Sequence, residues 1–444
     1  MDKNVSLKYN RGRRSFVRNS SLVAGGLVAA PLLSRANYFS GAEDVIKIAL
    51  IGCGGRGTGA CVQALSTKQN VRLVAMADAF RDKLDASYQH IAEALDDKKD
   101  RIQVKEDHKF VGFNAYKQAI AAADVVILTT PPGFRPIHFE EAVNQGKQIF
   151  MEKPVATGPA GIRRVLAAAE KAKAKKLNVV VGLQRRYQTS YRELISRVHD
   201  GIIGDITSAQ AWWNNDGVWV HPRQPQWNEM EYQMRNWYYF VWLCGDHIVE
   251  QHIHNLDVVN WAVDGYPVQA QGIGGREVRK GKDNGQIFDH HYVEFHYGEG
   301  AILNSQCRHI PGTMSKVDEL LIGTKGKVYC DAARITDHKE KTLYQFDKSK
   351  ENQPYQNEHD ELFAAIAKGE FKFQDAERAA KSTMTAIMGR LATYSGQVID
   401  WDKALELDLK MLPDNFDFDS TPPVVEDKDG HYPVAVPGKT KYMV

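Results

Sequence analysis

The sequence lacks a strong excess of either charge. Among its 444 residues, 57 are lysine or arginine and 55 are aspartate or glutamate, which gives a formal net charge of only +2. Nucleic acids and anionic membrane surfaces are bound mainly through clustered positive charge. We therefore expect neither of them as a partner.

Cysteine is scarce and follows no pattern. The five cysteines lie at positions 53, 61, 244, 307 and 330, an odd number with no CxxC pair. Paired spacings are typical of zinc sites and redox motifs, and an even, regularly spaced set is typical of a disulfide scaffold. We therefore expect five buried thiols.

Long apolar runs are missing as well, so we expect no membrane span of about 20 residues in the mature protein. The first forty residues differ from the rest: Arg13 and Arg14 begin a basic segment, an apolar run follows at 21–33, and small residues flank Arg35. This order resembles a twin-arginine export signal cleaved after Ala36, with an ordinary secretory signal or a basic arm as alternatives. We expect an exported, periplasmic protein.

The length favours two domains, because single domains usually hold roughly 100 to 200 residues. Up to residue 182, apolar strand patterns alternate with helical ones, which predicts an α/β fold with a doubly wound parallel Rossmann sheet. Beyond it, strand patterns follow one another directly, which predicts an α+β domain with a large open mixed or antiparallel sheet. The predicted segments are a signal at 1–36, a dinucleotide-binding domain at 45–182, a substrate-binding domain at 183–412 and a tail at 413–444.

Three smaller features complete this prediction. A helical pattern near 246–263 belongs to the second domain, and two helices near 358–368 and 376–395 are expected to pack back on the first. The tail, rich in Asp and Pro, is either an extended wrap or a loose end.

A glycine-rich turn follows the first strand pattern. Residues 52–57, Gly-Cys-Gly-Gly-Arg-Gly, fit GxGxxG between a strand and a helix, where the backbone approaches a pyrophosphate closely. The motif alone is weak, but Asp78 ends the second strand, where a carboxylate binds a ribose diol. The pair predicts a dinucleotide site that prefers NAD. Arg81 and Lys83 lie near enough to leave NADP open.

Several further motifs resemble one family. They are Thr129-Thr130-Pro131-Pro132, His138, Gly146-Lys147, Glu152-Lys153-Pro154 and the stretch 182–186, Gly-Leu-Gln-Arg-Arg. Together with the glycine loop they resemble the glucose-fructose oxidoreductase, inositol dehydrogenase and rhizopine catabolism (Gfo/Idh/MocA) family over nearly all of the chain after the signal. The resemblance implies an NAD(P)-dependent oxidoreductase acting on CH–OH groups, assembled as a homodimer or homotetramer. The cofactor residues it implies are Gly52, Gly54, Gly55, Arg56, Gly57, Asp78, Thr130, Pro131, Pro132, His138, Glu152 and Lys153.

The resemblance also implies the catalytic groups. Lys153 is expected beside the nicotinamide and the substrate hydroxyl, where an ammonium group polarises a carbonyl oxygen or hydrogen-bonds an alkoxide; pairing with a surface acid is the alternative. The stretch 250–257 resembles the family's Asp-x-Gly-x-His-x-x-Asp element, with Glu250 for Asp and His252 for Gly. His254 is the expected general base. Glu250 and Asp257 are expected to share its helical face and to orient the imidazole.

Two polar clusters have no assigned role. His247, Glu250 and His254 have the spacing of a metal site, yet we expect no metal, because the resemblance explains His254 without one. The second cluster is Asp289-His290-His291-Tyr292, for which capping of a sheet edge is an ordinary explanation.

The expected substrate is a sugar or another polyol. Six of the eight tryptophans lie between Trp212 and Trp242, and aromatic rings stack on the apolar faces of sugars; packing in the core or in an oligomer interface is the alternative. The predicted substrate-binding residues are Gln184, Arg186, Tyr187, Trp213 and His254.

These features predict hydride transfer between NAD and a secondary hydroxyl of a sugar, glycoside or cyclitol, with the cofactor tightly held as in glycoside 3-dehydrogenases. An alternative is an NAD-dependent glycosidase resembling glycoside hydrolase family 109, which acts through transient oxidation at C3. A third is a non-enzymatic sugar-binding protein, against which Lys153 and His254 argue.

Overall fold

A computed structural model of the protein describes residues 44–441. The twin-arginine pattern and the cleavage site predicted after Ala36 lie outside the described residues. Within them the chain forms 15 strands and 13 α-helices. The strands are β1 (Ile46–Ile51), β2 (Val71–Asp78), β3 (Lys109–Val111), β4 (Val125–Leu128), β5 (Gln148–Met151), β6 (Val179–Val181), β7 (Ile206–Asn215), β8 (Pro267–Gly275), β9 (His290–Tyr297), β10 (Ile302–His309), β11 (Lys316–Gly323), β12 (Gly326–Tyr329), β13 (Arg334–Asp337), β14 (Thr342–Gln345) and β15 (Ile399–Asp400). The helices are α1 (Gly55–Ser66), α2 (Arg81–Ala94), α3 (Ala115–Ala122), α4 (Arg135–Asn144), α5 (Pro159–Ala174), α6 (Thr189–His199), α7 (Glu229–Arg235), α8 (Val241–Cys244), α9 (His247–Glu250), α10 (Ile253–Val263), α11 (Pro354–Ala367), α12 (Asp375–Ser395) and α13 (Trp401–Glu406).

Six strands of the described chain form a parallel sheet in the order β3-β2-β1-β4-β5-β6. Apart from Lys47, every residue of β1 is buried, because helices cover both faces of a sheet of this type. The strand order reverses between β1 and β4, and an open α/β sheet binds its ligands at that point. The predicted doubly wound fold is confirmed.

Nine further strands within residues 44–441 form a second sheet in the order β14-β13-β12-β11-β7-β10-β9-β8-β15. β7 and β10 are parallel, and the other neighbours are antiparallel. Helices α10 and α12 pack against it, and buried residues alternate with partly exposed ones along β10, as one covered face requires. The predicted open mixed sheet is confirmed.

Helices α11 and α12 pack back on the first sheet, as predicted. Leu362 and Phe363 of α11 belong to the same buried cluster as Ile48 and Leu50 of β1. Because a late segment completes the core of the first sheet, the chain crosses between the two layers more than once. The domain boundaries at 182 and 412 therefore stay a prediction.

The predicted helix at 246–263 is interrupted. Helix α9 ends at Glu250, and α10 begins at Ile253. The backbone of Asp246 has φ of 75°, a left-handed conformation that only strong local contacts hold in a residue other than glycine. His252, one of the two linking residues, is buried and bonds Ser305 Oγ through Nε2 at 2.7 Å.

All five cysteines are buried and unpaired, which confirms that prediction. Within residues 44–441, none of the helices has the length and apolar character needed to cross a bilayer.

Candidate active site

The glycine loop is fixed by close backbone packing at its two ends and open in its middle. Gly52 has φ of 96°, and a Cβ there would overlap the main chain of Thr130. A Cβ at Gly57 would overlap the carbonyl oxygen of Gly52. Gly54 and Gly55, in contrast, have no atom within 4 Å of the place a Cβ would take. The loop therefore presents bare backbone to free space at the start of α1, which suits a pyrophosphate.

A cavity of about 390 Å³ opens from this loop. Its walls come from the carboxyl ends of β1, β2 and β4 and from a segment before α8. The lining residues of the first sheet's layer include nine of the predicted cofactor residues, which are Gly52, Gly54, Gly55, Arg56, Gly57, Asp78, Thr130, Pro131 and His138. Pro132, Glu152 and Lys153 do not line it.

Asp78 lies in the cavity wall at the end of β2. Its carboxylate accepts hydrogen bonds from the backbone N–H groups of Cys53 at 2.7 Å and Phe80 at 2.9 Å. Burial raises the pKa of Asp78, and these two hydrogen bonds oppose that effect. The carboxylate thus supports the glycine loop while facing the space where a ribose diol fits. Together the open glycines, the helix N-terminus and this acid fit a dinucleotide.

His138 closes another wall of the cavity. Its Nδ1 lies 3.1 Å from Thr130 Oγ1, and its ring stacks on Tyr116 with centroids 4.2 Å apart. Burial lowers the pKa of His138 to about 3. The residue is a neutral, nearly apolar wall rather than a charged anchor.

Glu152 contacts the glycine loop through Arg56. Its Oε1 lies 2.7 Å from Nε of Arg56, and its carboxylate is so close to Gly182 that a Cβ there would lie 2.6 Å from Oε2. The contact joins the glycine loop to the ends of β5 and β6.

Lys153 meets Glu250 of the second sheet's layer. Its Nζ donates to the main-chain oxygen of Glu250 at 2.6 Å and lies 3.1 Å from Oε1 of the same residue. Burial raises the pKa of Glu250, and the positive charge of Lys153 opposes that rise. The lysine therefore pairs with a buried acid across the two layers, not with a surface acid.

His254 lies close to this pair. Its ring stacks on Trp213 with centroids 5.9 Å apart at 24°, and its Nδ1 has no hydrogen-bond partner among the described residues. Burial lowers the pKa of His254 far below its ordinary value, and the charges of Lys153 and Arg185 lower it further. The imidazole is therefore neutral, which is the form that accepts a proton.

Asp257 does not orient His254, and that expectation is wrong. Its carboxylate accepts two hydrogen bonds from Arg186, at 2.7 and 2.9 Å, and a third from Ser382 Oγ at 2.7 Å. No hydrogen bond joins His254 to Glu250 or Asp257 among the residues described. The break between α9 and α10 explains this, because it removes the single helical face that the spacing predicts.

Two of the predicted substrate residues have other roles. Arg186 is held by Asp257, and its guanidinium lies 5.0 Å from the centre of the Trp261 ring. Tyr187 is only 1% exposed, and its hydroxyl donates to Asp375 Oδ2 at 2.6 Å. Arg186 is thus tied to α10 and Tyr187 to the start of α12, so their assignment to substrate is corrected.

Gln184, Trp213 and His254 remain as substrate candidates. Each has a buried polar atom without a hydrogen-bond partner among the described residues: Oε1 of Gln184, Nε1 of Trp213 and Nδ1 of His254. Buried polar atoms are rarely left unpaired in folded proteins. None of the three lines the cofactor cavity, so they stay substrate candidates by prediction.

The aromatic segment is divided between the core and the cofactor cavity. Trp242 is fully buried, whereas a stretch that we call the aromatic strap, residues 217–240, crosses the cavity mouth. Its contribution to the lining is Trp219, His221, Met234, Arg235 and Trp237. The sequence predicted contact with a sugar, or packing in a core or interface, and did not predict that this segment contacts the cofactor cavity.

Two contacts fasten the strap to the first sheet's layer. Arg235 bonds both carboxylate oxygens of Asp82, at 3.0 and 3.2 Å, and its guanidinium lies 4.0 Å from the centre of the Phe80 ring. The tail reinforces the same side, since Phe418 packs on Phe80 and Phe113 with centroids 5.3 and 4.9 Å apart. Of the two predictions for the tail, the structure shows the extended segment that packs on the rest of the chain.

The metal spacing noted in the sequence is not assembled. Glu250 is bound to Lys153, and His254 stacks on Trp213, so neither faces His247.

Comparison with known proteins agrees with this geometry. Residues 46–181 match the model of the Gfo/Idh/MocA family, described as an oxidoreductase family with an NAD-binding Rossmann fold. Inositol 2-dehydrogenase from Rhizobium meliloti is 25% identical over 334 residues, which cover 73% of this chain and 89% of that enzyme. Inositol 2-dehydrogenase from Gluconacetobacter diazotrophicus is 31% identical over 166 residues, and the chain spans only 43% of that relative.

The fold of a solved structure extends the likeness beyond the first sheet. Scyllo-inositol dehydrogenase from Lactobacillus casei, with bound NAD(H) and scyllo-inositol, superposes with a TM-score of 0.59 at 18% identity, covering 81% of this chain and all of that one. At that identity the superposition speaks for the fold alone. Residues 46–181 therefore belong to the Gfo/Idh/MocA family of NAD-binding oxidoreductases, and the fold extends that likeness to the second sheet.

Proposed function

We propose that the protein transfers hydride between NAD and a secondary hydroxyl of a sugar, glycoside or cyclitol. The observation that carries this proposal is the meeting of Lys153 with Glu250 beside the carboxyl ends of the parallel strands, close to the neutral imidazole of His254. NAD supplies the acceptor or donor of the hydride. The relatives named as inositol 2-dehydrogenases make a cyclitol or another ring polyol the first class to test.

In the oxidising direction the alcohol loses a hydride from carbon and a proton from oxygen. His254 is the group assigned to take the proton, because its Nδ1 is unpaired among the described residues. The ammonium group of Lys153 stabilises the oxygen as charge develops there. Glu250 holds that ammonium group in place through its carboxylate and its main-chain oxygen.

We propose NAD rather than NADP as the cofactor, because the carboxylate of Asp78 would repel a 2′-phosphate. Lys83 also lines the cavity and opposes this preference. Titration of the cofactor-free protein with both dinucleotides tests the choice, and tighter binding of NADP would refute it.

We further propose that the cofactor is retained between turnovers. The support is the aromatic strap, which lines the cavity and is anchored by Arg235 on the opposite wall. A retained cofactor must be recycled by a second substrate, as in the oxidation of one sugar coupled to the reduction of another. Denaturation of the purified protein should release NAD(H); an empty protein that is active only with added cofactor would contradict retention.

Export through the twin-arginine pathway to the periplasm and assembly into a homodimer or homotetramer are also proposals. The first rests on Arg13 and Arg14 with the apolar run behind them, and the second on the family likeness. Cell fractionation with an Arg13→Lys, Arg14→Lys variant tests the first, and mass measurement in solution tests the second.

The activity test is a panel of inositols, aldoses and alkyl glycosides, followed by the absorbance of reduced nicotinamide. Oxidation of at least one member, lost in Lys153→Ala, supports the proposal. Release of phenol from aryl glycosides would instead support the glycosidase resembling glycoside hydrolase family 109. Binding of sugars without turnover would support the non-enzymatic alternative.

A further inference from the structure

A second polar group lies behind Glu250, at the start of α9. Asp246, His247 and His291 are buried, with exposures of 0%, 0% and 3%. Each offers one ligand atom, and these atoms lie within 4.8 Å of one another. Asp246 Oδ2 is 3.4 Å from His291 Nε2, and Asp246 Oδ1 is 3.9 Å from His247 Nε2.

Three of the four imidazole nitrogens of this group lack hydrogen bonds. Neither Nδ1 nor Nε2 of His247 has a partner among the described residues, and Nε2 of His291 has none either. The other ring nitrogen of His291 lies 2.9 Å from Thr393 Oγ1, and this contact turns Nε2 toward Asp246. An ordinary pairing of His291 with Asp246 would leave both nitrogens of His247 unexplained.

The carboxylate is held in place by neighbours that do not belong to the group. Oδ2 of Asp246 accepts hydrogen bonds from the N–H of Phe288 at 2.9 Å and the hydroxyl of Tyr394 at 2.5 Å. Contacts of this kind fix the orientation of metal ligands in proteins.

We propose that Asp246, His247 and His291 bind one divalent transition-metal ion, and that zinc is the ion they fit best. Two imidazoles and one carboxylate are a common zinc set, and the fourth tetrahedral position falls to a water molecule. Bonds of about 2.0–2.1 Å place neighbouring ligand atoms about 3.3 Å apart in such a site. The 3.4 Å distance from Asp246 Oδ2 already meets this value, whereas the 3.9 Å distance starts from the other carboxylate oxygen. Ligand atoms of the group lie up to 4.8 Å apart, so the side chains must close by about 1.5 Å when the ion binds. Calcium and magnesium fit less well, since they prefer all-oxygen ligands.

This set differs from the one that the sequence suggested. Only His247 is common to both, because Glu250 and His254 face the active site while Asp246 and His291 face the second sheet. His291 belongs to the polar cluster at 289–292, which the sequence analysis left without a role. The spacing along the helix therefore identified one of the proposed metal ligands, His247, but not the other two.

The ion would hold Glu250 in position and would take no part in the hydride transfer. Helix α9 starts at His247 and ends at Glu250, so a metal bound at its first residue fixes the residue that holds Lys153. This positioning role rests on the proposed function, whereas the binding of the ion does not.

The test is metal analysis of the full chain, purified with an affinity tag that contains no histidine. We expect about one zinc ion per chain in the wild type. The His291→Gln variant should lower the affinity for zinc about tenfold or more, since loss even of a supporting contact has that effect. His359→Gln is the matched control: His359 is fully buried and its two ring nitrogens are also unpartnered, but it packs on Phe150, outside the group.

A second measurement covers the case in which His291→Gln does not fold. X-ray absorption at the zinc edge of the wild type should show imidazole and oxygen ligands without sulfur. Wild-type protein that holds no transition metal even after incubation with zinc would overturn the proposal, as would equal zinc affinity in His291→Gln and His359→Gln. Metal content is measured without substrate, so its outcome is independent of whether the dehydrogenase activity is found.

Discussion

The Nζ atom of Lys153 donates a hydrogen bond of 2.6 Å to the main-chain oxygen of Glu250, while the Glu250 carboxylate lies 3.1 Å from the same nitrogen. Lys153 follows β5 and Glu250 ends α9, and the two residues are separated by 97 positions in the chain. Both side chains are about one-tenth exposed. An ammonium group held in this way is ready to stabilise an oxygen, because its position no longer depends on the flexible stem of the lysine.

Removal of this amine should abolish turnover and leave the fold intact. We expect Lys153→Ala to lower kcat by about 10²- to 10⁴-fold, the usual contribution of a positioned proton-transfer group. The cofactor content should stay at the wild-type value, because Lys153 does not line the cofactor cavity. Lys68→Ala, at an exposed surface position, is the control. Wild-type kcat in Lys153→Ala would refute the mechanism.

The glycine loop provides a pair of variants with opposite effects. Gly54→Ala should fold normally, since its backbone has φ of −77° and ψ of −179° and no atom lies near the new methyl group. That methyl group enters the cavity, so we expect cofactor affinity to fall about tenfold or more. Gly57→Ala should instead lower the melting temperature, because its Cβ overlaps the Gly52 backbone. Thermal unfolding and NAD titration separate the two, and equal behaviour would contradict this account.

The aromatic strap should control release of the cofactor. Trp219 lines the cavity and is 41% exposed, so its truncation opens a path without removing much of the core. We expect Trp219→Ala to lose the retained NAD(H) during purification. Trp212→Ala is the matched control, because Trp212 lies on β7, outside the cavity lining, and contacts Lys316. Cofactor release measured after denaturation decides the matter: equal retention in both variants would exclude the strap as the cause.

Buried neutral histidines should make the protein sensitive to acid. Burial lowers the pKa of His138 and of His252 to about 3, from an ordinary value of 6.5. Between those two values the unfolded chain binds protons that the native chain does not, so the free energy of unfolding falls as the pH decreases from 6.5 toward 3. Each such histidine contributes about 1.4 kcal/mol per pH unit over this window.

Substitution of one histidine tests this slope directly. In His252→Gln the free energy of unfolding should depend less steeply on pH, by about one proton, whatever its absolute value. His90→Gln, at an exposed position, should keep the wild-type slope. Denaturant unfolding at several pH values gives both slopes, and an unchanged slope in His252→Gln would rule out this source of acid sensitivity.

The sequence was sufficient for the elements whose pattern is local. β-Branched runs that end in glycine or aspartate predicted β1 and β2 and the cavity between their ends. It was not sufficient where a contact with a distant part of the chain determines the role or the conformation of a residue. Arg186 has the position of a substrate residue, but Asp257 binds it from α10. Likewise nothing near Asp246 signals its positive φ, which moves the start of the predicted helix to His247, because surrounding contacts impose that conformation.

The prediction for the aromatic segment was incomplete for a related reason. Tryptophans in a row indicate contact with something flat or apolar, and the nucleotide cavity meets that description as well as a sugar does. Only the anchoring of Arg235 on Asp82 distinguishes the two.

The buried thiols can serve as probes of local unfolding. Cys53 and Cys61 lie under the first sheet and α1, while Cys307 and Cys330 lie within the core of the second sheet, and each is at most 3% exposed. An alkylating reagent reaches any of them only after the surrounding layer has separated. The order in which these sites are labelled therefore reports which layer opens first.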